Sequence, residues 1–474
     1  MKQELLRKTK IVATIGPASE DPKVFQTLVK AGLNVARLNM SHGDHSEHGK
    51  RVKTIRAISK KLDTRVGILL DLAGPKIRIG DFRSSTITLK HGAHFTLTTV
   101  KCLGDEKRVY VNYKKLPSEV KKGDVILLDD GKIKLVIQNV RSHSIETIVK
   151  NGGEIRGRRG VNIPNGVLSI KCLTEKDKKD IVFGLSMDVD FMALSFVRSA
   201  KDVAELRGIL NATKRGKGIA IIAKIETAQA VEDIDAIIAT ADGIMVARGD
   251  MADEIGTEYV PGVQKMIVRK CTEEGKPVIV ATQILESMVH SATPTRAEVS
   301  DVANSILDGA DAVMLSQETA MGSYPREAVG VMDLVARQTE TDHEHFRKHF
   351  RANTGNVVDS VSLSVVYTAR NVDAKAIVAL SESGFTTRML ARHRSTRAVL
   401  GMSPNEKTLN QMTLSFGCIP VKIGKFTYLS QVAEKAKFHA HALGFAKRGE
   451  KIVIAAGVPF GHVGGTNLML VHTV

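Results

Sequence analysis

Tryptophan is absent from the 474 residues, and aromatic side chains make up only 4% of them. A formal charge of +17 points to anionic partners, but without aromatic platforms the stacking surfaces of a single-strand nucleic-acid binder are not evident. Cysteine is scarce as well. Cys102, Cys172, Cys271 and Cys418 stand far apart with no C-x-x-C pair, which excludes the usual zinc and dithiol motifs and reads as free thiols of a cytoplasmic protein. No apolar run approaches the roughly 20 residues of a membrane span, and the opening MKQELLRKTKIVATIG does not read as a signal peptide. The common nucleotide signatures are missing too: no G-x-x-x-x-G-K-[ST], no G-x-G-x-x-G and no kinase catalytic loop. What remains, 43% hydrophobic and 25% charged residues, is a globular composition long enough for about three domains.

Eight short apolar runs, largely β-branched, mark parallel strands buried on both faces. They are KIVATIG from Lys10, NVARLN from Asn34, RVGILLDL from Arg65, DFMALSF from Asp190, GIAIIAKIE from Gly218, GIMVARGD from Gly243, PVIVATQ from Pro277 and DAVMLSQE from Asp311. Helical patterns lie between most of them, for example DPKVFQTLVKAG, opened by Asp21 and Pro22, and TEKDKKDIVFGL, opened by Thr174. Eight such units predict a (β/α)8 barrel, with an open doubly wound sheet as the less economical alternative. After the third run, from Pro75 to Gly166, alternating strands replace the helices, and Asp130-Gly131 signals a hairpin. Residues 75–166 are therefore expected to form an inserted β domain. Removing it leaves 1–74 and 167–345, about the 250 residues typical of a barrel. Residues 346–474 alternate strand and helix again and predict a separate α/β domain.

Reactive groups of a barrel sit where its strands end. The runs end in Thr14; Arg37, Asn39 and Ser41; Asp71; Ser195; Lys224 and Glu226; Arg248 and Asp250; Thr282 and Gln283; and Ser316 and Glu318. Strand ends are often polar simply because they meet solvent, but eight of eight with interleaved charges favour a shared site. Lys224 and Glu226, two apart on one strand, leave on the same face. Their bland reading is a structural ion pair. Asp250, on the next strand, completes a two-carboxylate set that suits a hard divalent cation, whose other positions go to water and substrate oxygens. Gly249 allows close approach of an anion to the backbone, and Arg37 offers a fork for phosphate unless it merely pairs with a barrel carboxylate. From residues alone the chemistry is metal-assisted work on a small phosphorylated or carboxylated anion.

The motifs go further. IIAKIETAQAV resembles the signature of the pyruvate kinase family, and it is joined in order by KIVATIGPAS, NVARLNMSHG, LLDLAGPKIRIG, MVARGD, VIVATQILESM, PTRAEVSDVANSILDGADAVMLSQETA and GTNLMLVHTV. The resemblance implies transfer of a phosphoryl group from phosphoenolpyruvate to ADP, giving ATP and pyruvate, with Mg²⁺ or Mn²⁺. It assigns Arg37 to the phosphoryl group, Lys224 to its charge and that of the enolate, Glu226 and Asp250 to the divalent cation, and Gly249 and Asp250 to the substrate carboxylate. Thr282 would lie near the proton path, and Asn39, His42 and Arg78 on the nucleotide side. The β insertion would be a water-excluding lid. The assembly implied is a homotetramer.

Two departures matter. Asn39, Ser41 and Asp71 match the family's potassium ligands, yet Lys76 stands where potassium-dependent members carry glutamate, so activity without K⁺ is expected. Met251, Ala252 and Asp253 follow Asp250 in place of the commoner L-G-V, and Met40 replaces a phenylalanine. In the last domain Ser381, Ser383, Thr386 and Thr387 resemble the phosphate loop of the family's effector site, with Gly461 to Thr466 as its cover, which implies activation by a phosphorylated metabolite; the bland reading is a helix cap. The competing readings are a Mg²⁺-dependent phosphoenolpyruvate or pyruvate lyase or mutase barrel and, remotely, a basic nucleic-acid-binding protein.

Overall fold

In the computed structural model, which describes residues 6–164, 166, 168–341, 355–424, 428–459 and 464–474, all eight predicted runs form strands. These are β1 (Lys10–Thr14), β2 (Val35–Asn39), β3 (Gly67–Asp71), β4 (Phe191–Leu194), β5 (Ala220–Ile225), β6 (Gly243–Ala247), β7 (Val278–Ala281) and β8 (Ala312–Leu315). They close in sequence order, β1 pairing parallel with both β2 and β8, so the open-sheet alternative falls. Period two then sorts the side chains. Val12, Val35, Leu69, Ile222, Met245 and Ile279 fill the barrel interior, while Ile11, Ala36, Ile68, Ile221 and Ile244 pack outward against the helices.

Helix starts follow their capping chemistry. Asp21 accepts from the N–H groups of Lys23 and Val24, ahead of the helix Pro22–Lys30, and Thr174 closes a capping box with Asp177 at the head of Glu175–Ser186.

Between β3 and β4 lies a six-stranded sheet with a two-stranded annex, built from Thr86–Leu89 to Val161–Asn162. Val125–Leu128 and Ile133–Arg141 form the hairpin expected at Asp130-Gly131. Its tip carries three successive left-handed residues, Asp129, Asp130 and Gly131.

The C-terminal sheet has the order β11 (Cys418–Lys422), β10 (Val399–Ser403), β9 (Ala376–Leu380), β12 (Lys451–Ala456), β13 (Leu468–Thr473). Four strands fall on the predicted runs. The fifth, β13, runs antiparallel at the edge and coincides with the closing LMLVHT, which the alternation of strand and helix does not predict. The expected boundary near residue 346, and Gly461 to Val463 of the expected cover loop, lie outside the described residues. This domain seats on the barrel floor. Leu414 joins the barrel's interior cluster, and Arg394 reaches Asp311 at 2.9 Å.

Candidate active site

The ends of β2, β3, β4 and β5 bring one buried polar cluster together. Lys224 Nζ lies 2.9 Å from Glu226 Oε1, 2.7 Å from Ser195 Oγ and 3.4 Å from Asp71 Oδ1. Arg37 donates through Nε to Asp71 Oδ2 at 2.7 Å and through Nη1 to Thr14 Oγ1 at 2.8 Å, while its Nη2 has no hydrogen bond among the described residues. Both bland readings therefore describe real contacts: Lys224 with Glu226 and Arg37 with Asp71 are ion pairs. They also leave two cations at the barrel mouth, of which Arg37 keeps Nη2 without a hydrogen bond among the described residues.

The electrostatics follow from burial and proximity. Burial works against charge on Asp71, but Lys224 and Arg37 overcome it and hold the carboxyl below its ordinary value. For Lys224 burial pulls the other way, and Asp71 and Glu226 more than restore it, so its pKa is raised and it stays an ammonium. Burial pushes Glu226 up; Lys224 opposes and Asp250 adds to the rise. A carboxylate whose ionisation a neighbouring carboxylate opposes is a ready ligand for a cation.

Asp250 sits in the first turn of the helix Arg248–Ile255, which starts directly after β6. Its Oδ1 lies 3.1 Å from Lys76 Nζ, so the lysine of the insertion reaches across to the barrel carboxylate. Glu226 Oε2 accepts the Phe196 N–H at 2.7 Å. Among the described residues no set of three or more His, Cys, Asp or Glu is placed to hold a metal. Glu226 and Asp250, close enough for one carboxylate to act on the other, fit the donor set of a Mg²⁺-like ion that takes one or two protein carboxylates and fills its shell with substrate and water oxygens.

Gly249 and Thr282 meet, though not as an open anion site. The Gly249 N–H donates to Thr282 Oγ1 at 2.9 Å, and Thr282 donates to its neighbour's carbonyl, Ala281 O, at 2.6 Å. Thr282 has φ 69, a conformation β-branched residues avoid, so the surrounding structure imposes a cost to aim this hydroxyl. Arg248 is no phosphate ligand here. Asp301 at 2.7 Å and the Thr282 carbonyl hold it. Glu318 likewise turns inward, accepting the Ser316 and Leu285 N–H groups.

On the nucleotide side the placements are looser. His42 and Ser41 are exposed, and Asn39 Oδ1 accepts the Ser41 N–H at 3.1 Å. Partial burial of the ring, then Arg78, Arg37 and Lys76, lower the His42 pKa, so these three cations lie near enough to act on it. Arg78 donates to Arg158 O at 3.1 Å within the insertion.

In the C-terminal domain Ser381 and Thr386 are buried, and Thr386 Oγ1 lies 2.9 Å from Thr466 Oγ1, joining the two segments expected to flank one site. The structure does not bring Thr387 there: it is fully buried with its hydroxyl toward Met412 Sδ. Successive residues of a helix point about 100° apart, so Thr386 and Thr387 of the helix Phe385–Ala391 cannot both face the loop. Nothing in the run from Ser383 to Thr387 says which of the two hydroxyls turns inward.

Sequence reasoning also missed the supporting roles of Ser195 and Thr14. Both were visible only as polar strand ends, and nothing in their spacing says that one would hold Lys224 and the other Arg37.

Comparison with known proteins agrees with this geometry. Residues 6–329 match the family model "Pyruvate kinase, barrel domain" and residues 359–472 match "Pyruvate kinase, alpha/beta domain". Pyruvate kinase from Geobacillus stearothermophilus is 44% identical over 473 residues, covering 99% of this chain and 80% of the relative. That of Clostridium acetobutylicum is 40% identical, covering 99% and 100%, and that of Staphylococcus saprophyticus 44%, covering 99% and 81%. With both domains matched and the lysine, the carboxylates and the arginine assembled at one barrel mouth, the chain belongs to the pyruvate kinase family, a family of phosphotransferases.

Proposed function

We propose that this chain transfers the phosphoryl group of phosphoenolpyruvate to ADP at the mouth of its barrel, with Lys224 at the centre of the chemistry. The supporting observation is the Lys224 ammonium, buried and fixed by Glu226, Asp71 and Ser195 where charge would develop on the migrating phosphoryl and the enolate. The free Nη2 of Arg37 binds the phosphoryl oxygens. Glu226 and Asp250 hold the divalent cation, Mg²⁺ or Mn²⁺, which when bound neutralises phosphate and carboxylate charge. Gly249 and Asp250 offer backbone N–H groups to the substrate carboxylate, which requires Thr282 to release the Gly249 N–H. Freed, that hydroxyl orients the water that delivers a proton to the enolate. Asn39, His42 and Arg78 face the nucleotide, and residues 75–166 act as the lid.

Lys76 supports independence from K⁺, since its ammonium already sits in the cleft beside Asp250. Asn39, Ser41 and Asp71 remain as the oxygens of a monovalent site. Ser381, Ser383 and Thr386 bind a phosphorylated effector, and the chain assembles as a homotetramer, to which the edge strand β13 lends a free side. No described helix is long and apolar enough to cross a membrane.

A coupled assay tests the reaction: ATP must appear with phosphoenolpyruvate, ADP and Mg²⁺ all present, and failure to form it overturns the reading. Initial rates in potassium-free buffer should change little on adding KCl; many-fold activation sinks the role of Lys76. A panel of sugar phosphates and AMP should shift substrate saturation, and Thr386→Ala should blunt the shift.

A further inference from the structure

Between the end of β2 and the helix His45–Lys61 the chain makes a tight turn that carries His42. Gly43 lies at its apex with φ 75, and a Cβ there would stand 2.6 Å from Glu47 Oε2 and 3.3 Å from His48 Nε2. A glycine is needed for the backbone to lie this close to the helix. One hydrogen bond accounts for the approach. His48, only 1% exposed, turns its ring back under the turn and places Nε2 2.8 Å from the carbonyl oxygen of His42. A carbonyl oxygen can only accept, so Nε2 carries the proton and donates.

The far side of the ring is set as well. Arg51, also buried, donates through Nη1 to His48 Nδ1 at 3.4 Å and through Nε to Glu20 Oε2 at 2.8 Å. With Nδ1 accepting and Nε2 donating, the imidazole is neutral and confined to one tautomer. Burial, then Arg51 and Lys176, keep its pKa below the ordinary value, while the His42 carbonyl and Glu47 oppose. Glu20 belongs to the loop after β1, where the Ala18 N–H donates to Ala320 O at 3.0 Å. A continuous chain of polar contacts therefore runs from the β1 loop through Glu20, Arg51 and His48 to the turn after β2. The same turn is held elsewhere by Lys176, whose Nζ donates to Met40 O at 2.7 Å. Without His48 the turn keeps that anchor at Met40, whereas the His42 carbonyl loses its partner. Arg37 has its own supports, Asp71 and Thr14, outside this chain of contacts.

We propose that His48 is a positioning residue for the nucleotide: it fixes the His42 carbonyl, and with it the turn Ser41–Gly43 that faces ADP, with Arg51 and Glu20 as its brace. The proposal rests on the reading that places His42 on the nucleotide side. Phosphoenolpyruvate is met by Arg37 and Lys224, whose supports are separate, so loss of His48 falls on ADP and spares the other substrate.

The test joins calorimetric titration of the full chain with ADP and Mg²⁺ to the coupled assay. His48→Leu removes the donor and should weaken ADP binding and raise its KM about fivefold to tenfold, with the KM for phosphoenolpyruvate within about twofold of the parent. His48→Gln sets an amide N–H where Nε2 stood and should recover most of that loss, which mere filling of the ring's space does not explain. Glu20 is exposed, so Glu20→Ala decides the matter even if His48→Leu fails to fold; it should weaken ADP binding about threefold by releasing Arg51. Unchanged ADP binding in His48→Leu, or in Glu20→Ala where the leucine variant does not fold, overturns the proposal. So does an equal loss for both substrates, or a glutamine variant no better than the leucine one. A parent chain that binds ADP but makes no ATP fails the kinase reading instead, and the binding comparison still decides on His48. A parent that binds no ADP overturns both.

Discussion

Lys224 carries most of what single residues predict. Its ammonium is shared by Asp71, Glu226 and Ser195, and on the proposed reading, in which it stabilises the developing charge, Lys224→Met should lower kcat about 10²-fold to 10³-fold or more. A loss confined to KM for phosphoenolpyruvate would instead make it a binding group. Asp253, one of the departures after Asp250, gives a pH signature. Burial, then Asp130 at the hairpin tip and Asp250, push its carboxyl up to about 6, while Lys76 opposes. The sign follows: the folded state binds the proton more tightly than the unfolded state, so stability is fully present below about pH 4 and declines as pH rises through about 6. Asp253→Asn removes that decline. In metal-free thermal melts its Tm should match the parent near pH 4 and exceed it near pH 7.5, and equal Tm values at both would show that the Asp253 carboxyl is not raised in the folded state. Half of this was legible in the sequence. Lys224, Glu226, Asp250 and Arg37 were placed by strand period and order, but that Lys76 lands on Asp250 depends on how the insertion leans.

At the scale of elements, the junction between β3 and the insertion is held by a few backbone contacts. Gly74 has φ 66, and a Cβ there would lie 2.8 Å from the Phe196 ring. Its N–H donates to Asp177 Oδ1 at 3.1 Å, and Asp177 Oδ2 accepts from the backbone and hydroxyl of Thr174. One carboxylate thus fixes both a helix start and the base of the insertion. Asp177→Ala should cost about 2–4 kcal/mol, more than a lone helix cap, because a buried acceptor serving both elements is lost. Denaturant titration reads this; a loss under about 1 kcal/mol would show that the junction holds without it. Gly74→Ala should lower kcat/KM at unchanged metal affinity if residues 75–166 close over the cleft. The helices themselves were readable from Asp21, Pro22 and Thr174, since caps are local chemistry. The edge strand β13 was not, because its LMLVHT alternation is weak and its antiparallel pairing with β12 breaks the local order of strand, helix and parallel strand.

For the whole molecule, Arg394 is a buried tie between barrel and C-terminal domain. It pairs with Asp311 through two nitrogens, at 2.9 and 3.1 Å, and its guanidinium lies 4.5 Å from the Phe416 ring centroid. Asp311 also accepts the Val278 and Phe416 N–H groups, so removing the arginine leaves a buried charge short of a partner. Arg394→Met should cost about 3–5 kcal/mol by chemical unfolding. The double substitution with Asp311→Asn should recover part of that, and strict additivity of the two would argue against coupling across the interface. The excess of positive charge is also a property of the whole. Phosphoenolpyruvate and ADP are polyanions, so a net +17 favours their encounter with the protein.

The order of eight strands, the inserted β domain and the polar strand ends that carry Lys224, Glu226, Asp250 and Arg37 followed from the sequence by itself, because strand period, capping and strand-end polarity are local and repeat along the chain. Only the tertiary structure decided that the barrel closes, that Ser195 and Thr14 brace Lys224 and Arg37, and that Thr387 turns inward. Each of these depends on side chains far apart in sequence meeting at a shared distance, and no local pattern encodes where two such surfaces come to rest.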